Sequence, residues 1–173
     1  MICFDRRQLL IAALIVAGVG FAPPSASAAE ATKKSAPPPP GNDAKPEDIV
    51  KNLYDRYAAE KYDYMEDALR PRYFTKATDA LLKKVFDKST ADNEPGIDYE
   101  PLIDGQDGEV KALAIVVTSS SPVKATVEAR FNSYEEKVVV AFDFLLEKTA
   151  WKIDDIRSKQ GTSLKSVAKE YLQ

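Results

Sequence analysis

The chain has 173 residues, including 11 prolines, one cysteine and no histidine, and its 24 Lys and Arg against 27 Asp and Glu leave a formal charge of −3. A content of 45% hydrophobic and 29% charged residues is that of a folding domain rather than a disordered chain, and this length predicts one domain with a self-supporting core. The lack of histidine removes the commonest general base and metal ligand at neutral pH, and a mildly acidic chain without a Lys/Arg stripe argues against a nucleic-acid partner.

Residues 1–28 have the form of a cleavable secretory leader. Arg6 and Arg7 precede an uncharged run from Leu9 to Ala22, and Ala26-Ser27-Ala28 supplies the small side chains that a signal peptidase requires. Cleavage is expected after Ala28, with Ala29 the second choice. The apolar run ends at Pro23-Pro24, short of the roughly 20 residues a membrane-crossing helix needs. Arg6-Arg7-Gln8-Leu9-Leu10 also fits the twin-arginine export pattern, which leaves two export routes open. Cys3 lies before the apolar run, so a lipoprotein anchor is excluded. Removing the leader leaves 145 residues with a net charge near −4 and no cysteine. That excludes disulfides and thiol catalysis and suits the periplasm or the exterior; once the leader is removed, no membrane partner is expected.

Residues 29–45 form a proline-rich linker. Pro37 to Pro40 favour an extended polyproline conformation, read as a solvated spacer or, alternatively, a docking motif. The domain proper is expected over 46–173. Pro46, Glu47 and Asp48 suit a first helical turn, and Ile49, Val50, Leu53, Tyr54, Tyr57 and Ala58 make a stripe that predicts a helix to about Lys61. A short turn over Tyr64–Arg70 is expected to end at Pro71. Thr75 caps a second helix with the stripe Thr78, Leu81, Leu82, Val85 and Phe86, and Ser89 to Gly96 reads as a loop.

Beyond Gly96 the period becomes two. Ile97–Leu102 predicts a short strand, Asp104–Gly108 a turn, and Val110–Thr118 a strand apolar on both faces. Val123 to Phe131 alternates with one wet face, and strands follow over Val138–Leu146 and Trp151–Ile156. A last helix carries Leu164, Val167, Ala168 and Tyr171, capped by Thr162 or Ser163. Helices grouped before a run of hairpins predict an α+β fold, with helices covering the concave face of a curved, four- or five-stranded antiparallel sheet.

Tyr73-Phe74-Thr75, Ile97-Asp98-Tyr99-Glu100-Pro101-Leu102, Gln106-Asp107 and Trp151-Lys152-Ile153-Asp154-Asp155-Ile156, followed by Gly161 and Ser163-Leu164, resemble a bacterial exported family known only as a domain of unknown function. The likeness covers about Pro46 to Gln173. It implies a cone-shaped fold similar to nuclear transport factor two, a sheet wrapped around helices, and carries over no catalytic residues.

Some cone folds hold a pocket in which an Asp base works with a Tyr or a protonated Asp. Strand parity puts Asp155 on the face of Trp151 and Ile153, as a carboxylate at the pocket rim, with Asp154 facing away. Asp155, Tyr54 and Tyr57 are therefore the catalytic candidates, and Tyr99, Trp151 and Asp155 the binding candidates. The plainer reading ends the strand at Asp155, bonded to water or to backbone N–H groups, and packs the helix tyrosines against the sheet. Asp143 is the only charge between Val138 and Leu146. A two-residue turn at Ser133-Tyr134 sets it opposite Lys124 and a four-residue turn opposite Thr126, and either partner explains it structurally. Asp104, Gln106, Asp107 and Glu109 crowd oxygens into one turn without the spacing of a calcium loop. Neither a metal nor a cofactor is read from the sequence, and Ser119-Ser120-Ser121 lacks any His or Cys to activate it.

The functional expectation is an exported periplasmic binding or interaction domain without identifiable catalysis, with a protein or a small apolar ligand as partner. The milder sheet face of Ala112, Ala114, Val116, Val139, Ala141 and Leu145 suggests a homodimer seam. Two alternatives are an Asp/Tyr-based isomerase- or dehydratase-like enzyme and an inhibitor or immunity protein for a secreted toxin or hydrolase.

Overall fold

The computed structural model describes residues 35–173; the expected leader, its twin arginines and Cys3 lie outside the described residues. The order is α1 (Pro46–Ala58), a 3-10 turn (Asp63–Met65), α2 (Arg70–Tyr73), α3 (Lys76–Asp92), β1 (Lys111–Ser120), β2 (Lys124–Ser133), β3 (Glu136–Glu147), β4 (Ala150–Ser158) and α4 (Leu164–Tyr171). The four strands form an open antiparallel sheet in the order β1-β2-β3-β4, the α+β architecture that the switch in periodicity predicts.

The sheet has one dry face. Val127 pairs with Phe142, which pairs with Ile156, and Ala125 pairs with Phe144, which pairs with Ile153. All six are buried, and they meet Ile49, Val50, Leu53 and Tyr54 of α1, Leu82 and Val85 of α3, and Leu164 and Ala168 of α4 in one cluster. Burying each such Leu, Ile or Phe contributes about 1.5–3 kcal/mol, which makes this face the main source of stability.

Several boundaries depart from the sequence expectation. Ile97–Leu102 is not a strand; its only ladder contact is an isolated bridge between Glu100 and Gly105, and Pro101 has no N–H to donate. The sheet thus has four strands, not five. Pro71 does not end a turn but opens α2 at its second position, where no N–H is required. α3 runs on through Ser89 to Asp92, because Asn93 takes the left-handed conformation (φ 55°) that ends the helix. α1 stops at Ala58, three residues early, where Glu60 turns left-handed (φ 57°).

The expected spacer is not free either. Asn52 Nδ2 donates to the Pro38 carbonyl at 2.8 Å, and Arg56 Nη1 to that of Pro37, so the prolines lie along α1. A polyproline segment keeps its carbonyls unpaired by its own backbone, and two polar helix residues use them.

Asp143 pairs with Thr126, the register expected of a four-residue turn, yet the loop is the two residues Tyr134 and Glu135. Thr126 Oγ1 donates to Asp143 at 3.0 Å, and Arg157 grips it at 2.6 and 2.9 Å. The Asp143–Arg157 and Glu128–Arg130 pairs therefore interrupt the expected apolar face of Val116, Val139, Ala141 and Leu145.

Candidate functional site

A bulge decides where the predicted carboxylate points. The β3–β4 register shifts between Asp143 and Phe144, so Asp154 is inserted and Asp155 pairs with Asp143. Asp155 thus stands on the face away from Ile153, not with it. There it accepts from Ser163 Oγ at 2.5 Å, Lys165 N at 3.1 Å and Ile156 N at 2.9 Å. Ser163 Oγ in turn accepts from Ser166 N at 3.2 Å, so the carboxylate and the hydroxyl together start α4.

The other named residues divide. Tyr54 is a pillar of the core: its ring meets Phe131 and Phe142 edge-on at 5.8 and 6.2 Å, and its hydroxyl donates to the Leu102 carbonyl at 2.6 Å. Burial holds that hydroxyl well above the usual tyrosine pKa. Trp151 is half-buried opposite Leu146 and packs on the core. Tyr57 and Tyr99 instead reach the surface at one end of the molecule. Burial, then the charges of Asp104 and Asp155, push Tyr99 up to about 12.

At that end the C-terminus of α1, the 97–108 segment and the β2–β3 turn enclose an open cleft of about 440 Å³, lined by Tyr57, Tyr62, Glu100, Gln106, Asp107, Gly108 and Tyr134. Local chemistry places several of the lining residues. Tyr62 follows the left-handed Glu60, and its ring stands nearly perpendicular to that of Tyr57 (80°, centroids 5.2 Å apart). The Tyr57 hydroxyl donates to the Gly108 carbonyl at 3.1 Å. Glu100 N donates to Gly105 O at 2.7 Å, and Ile103 N to Glu100 O at 3.1 Å, which closes the segment into a compact loop anchored by buried Leu102 and Ile103. Tyr134 occupies the hairpin turn at φ 52°, a conformation that glycine or asparagine adopts more easily.

Glu100 is the cleft's most constrained group. Tyr64 Oη donates to its Oε1 at 2.5 Å and Leu102 N to the same oxygen at 3.0 Å. Burial raises the Glu100 pKa above the ordinary glutamate value, and the two hydrogen bonds, which pull it down, do not cancel that rise. The sequence reading missed Glu100, Tyr62 and Tyr134. A signal for the acidic part was present: from Ser89 to Val110 there are seven acidic residues and not one Lys or Arg.

A second cleft of about 500 Å³ lies at the other end of β3 and is lined by Phe74, Lys76, Asp79, Glu147, Lys148 and Lys152 among others. Glu147 and Lys152 serve the fold there. Glu147 accepts from Lys76 N, capping α3, and Lys152 Nζ donates to the carbonyls of Pro71 and Arg72. Among the described residues no group of three or more His, Cys, Asp or Glu could hold a metal ion, and no described helix is long and apolar enough to cross a membrane.

No family model matches the chain. It is 26% identical over 129 residues to the uncharacterized protein YqhG of Escherichia coli K12, an alignment covering 72% of this chain but only 42% of that protein. Among solved structures, a phospholipid-binding protein from Ralstonia solanacearum, in complex with a phospholipid, is similar over 56% of this chain and 50% of its own, with 16% identity and a TM-score of 0.33.

Proposed function

We propose that the chain is an exported binding domain of the periplasm, without catalysis of its own, which engages its partner at the tyrosine-lined cleft. The export part rests on the leader pattern of residues 1–28. Membership of the exported bacterial group with the nuclear transport factor two-like cone, which the Tyr73-Phe74-Thr75 and Trp151–Ile156 segments resemble, is part of the same reading.

The observation that carries it is how the tyrosines are divided. Tyr54, Tyr64 and Tyr73 are buried with hydroxyls bonded to Leu102, Glu100 and Asn52. Tyr62 and Tyr134, by contrast, are 52% and 63% exposed on one cleft. Exposed aromatic rings gathered on a concave surface suit recognition, since they offer large contact area at little entropic cost. The hollow between sheet and helices is filled by Tyr64, Tyr73, Phe74, Phe142 and Phe144, all fully buried. An isomerase- or dehydratase-like site built on Tyr54 and Asp155 would need both groups free, and both are tied into the fold. Neutralising a secreted toxin or hydrolase is the form of this reading in which the partner is an enzyme.

Amide hydrogen exchange of the full chain, alone and with fractionated cell-envelope extract, tests the reading. Protection confined to segments 57–62, 98–108 and 134–136 is expected. Protection elsewhere, or turnover of an extract component that Glu100→Gln abolishes, would overturn it.

A further inference from the structure

The chemistry of the cleft narrows the partner. Two perpendicular rings 5.2 Å apart form a corner, Tyr134 stands at its lip, and the carboxylates of Glu100 and Asp107 line it. The cleft shares lining residues with two others. One, of about 430 Å³, shares Glu100 and Gln106 and adds Asp98 and Tyr99; the other, of about 580 Å³, shares Asp107 and Tyr134 and adds Asp104, Glu135 and Glu136. Across all three there are four tyrosines and six carboxylates, and neither a Lys nor an Arg among the lining residues. Lys61 and Lys137 adjoin in sequence without lining the cleft.

Aromatic faces beside carboxylates, with water admitted and no competing cation, are the conditions under which a guanidinium or ammonium is held by ring contact and charge together. The acids do not converge as metal ligands do; they are spread over three adjoining clefts. We infer that the cleft takes a basic segment of a partner polypeptide, with one Arg or Lys side chain seated against Tyr57, Tyr62 and Tyr134 and its neighbours facing Asp98, Asp104, Glu135 and Glu136. This rests on the reading of the cleft as the binding site.

The test uses the full chain and a fluorescein-labelled hexa-arginine peptide, followed by anisotropy at about 0.05 and 0.15 M salt. Binding is expected at both, weaker at the higher, because exposed charges are screened while ring contact persists. Tyr62→Ala and Tyr134→Ala, at exposed positions, should each weaken binding about two- to fivefold at the higher salt. Asp107→Asn should weaken it more than Asp87→Asn, which removes the same charge from the outer side of α3. Equal losses from Asp107→Asn and Asp87→Asn, with the tyrosine variants unchanged, mean diffuse attraction and overturn the site. Full displacement by tetramethylammonium identifies a small ammonium ligand and overturns the polypeptide assignment. Absence of peptide binding overturns the cationic partner; the hydrogen-exchange pattern with extract then shows separately whether the cleft binds anything.

Discussion

Tyr54 offers the sharpest test of how the core positions the cleft. Its ring is 3% exposed and fixed by Phe131 and Phe142, and its hydroxyl is the donor that satisfies the Leu102 carbonyl at 2.6 Å. Tyr54→Phe keeps the ring and opens no cavity for a side chain, so only the hydrogen bond is at stake. Removing it leaves a carbonyl, deep in the protein, without its partner, a loss of about 1–3 kcal/mol. For a domain near 150 residues each kcal/mol lowers the melting temperature by about 2–4 °C. Urea unfolding should show the midpoint falling with the slope unchanged, since the surface exposed on unfolding is the same. Hydrogen exchange should also show earlier opening of residues 102–108, because Leu102 ties that segment to α1. A stability change below about 0.5 kcal/mol, the range of an inert surface substitution, would refute the claim that Tyr54 is a structural pillar holding the cleft loop.

Glu100→Gln keeps an Oε1 that accepts from Tyr64 and Leu102 while removing the charge. A carboxyl whose pKa is raised by folding binds its proton more tightly in the native state, so its contribution declines as pH rises above the unfolded value of 4.5. The variant should therefore gain stability relative to the parent as pH is raised from about 4.5 toward 7, and parallel pH–stability curves from chemical denaturation would sink the assignment. Asp155→Ala strips the acceptor from Ser163 Oγ and Lys165 N. It should cost about 1–3 kcal/mol and raise amide exchange in α4 first, and an unaltered melting temperature would contradict the capping role. Gly96→Ala places a Cβ 2.5 Å from Val85 Cγ1 and 3.2 Å from Tyr171 Cε1. The crowding should cost about 1–3 kcal/mol, with part recovered in the Gly96→Ala/Val85→Ala double variant. Simple additivity of the two losses would argue against that contact.

Local rules were readable where one residue's chemistry decides the outcome. Thr75 accepts from Thr78 N and Ser163 from Ser166 N, as their places before apolar helical stripes require. The dry face of Val127, Phe142 and Ile156 follows from a period of two. Parity failed at Asp155 because a bulge inserts one residue, and a single insertion transfers every later side chain to the other face. Nothing in residues 150–158 announces that insertion; it is the pairing with β3 that imposes it.

The cleft illustrates the same division at longer range. Composition and periodicity by themselves determined an α+β domain with amphipathic helices over one sheet face, since burying apolar stripes requires only that each element know its own period. They also contained an acid-rich, base-free stretch ahead of β1. What only the folded chain decided is that Tyr57 and Tyr62, Glu100 and Asp107, and Tyr134 converge on one concavity. Those residues come from the last turn of α1 and from three connections separated by tens of positions, and their meeting depends on how α1 lies across β1 and β2 and where the β2–β3 turn falls. That is a property of packing between elements, which no period within any one of them encodes.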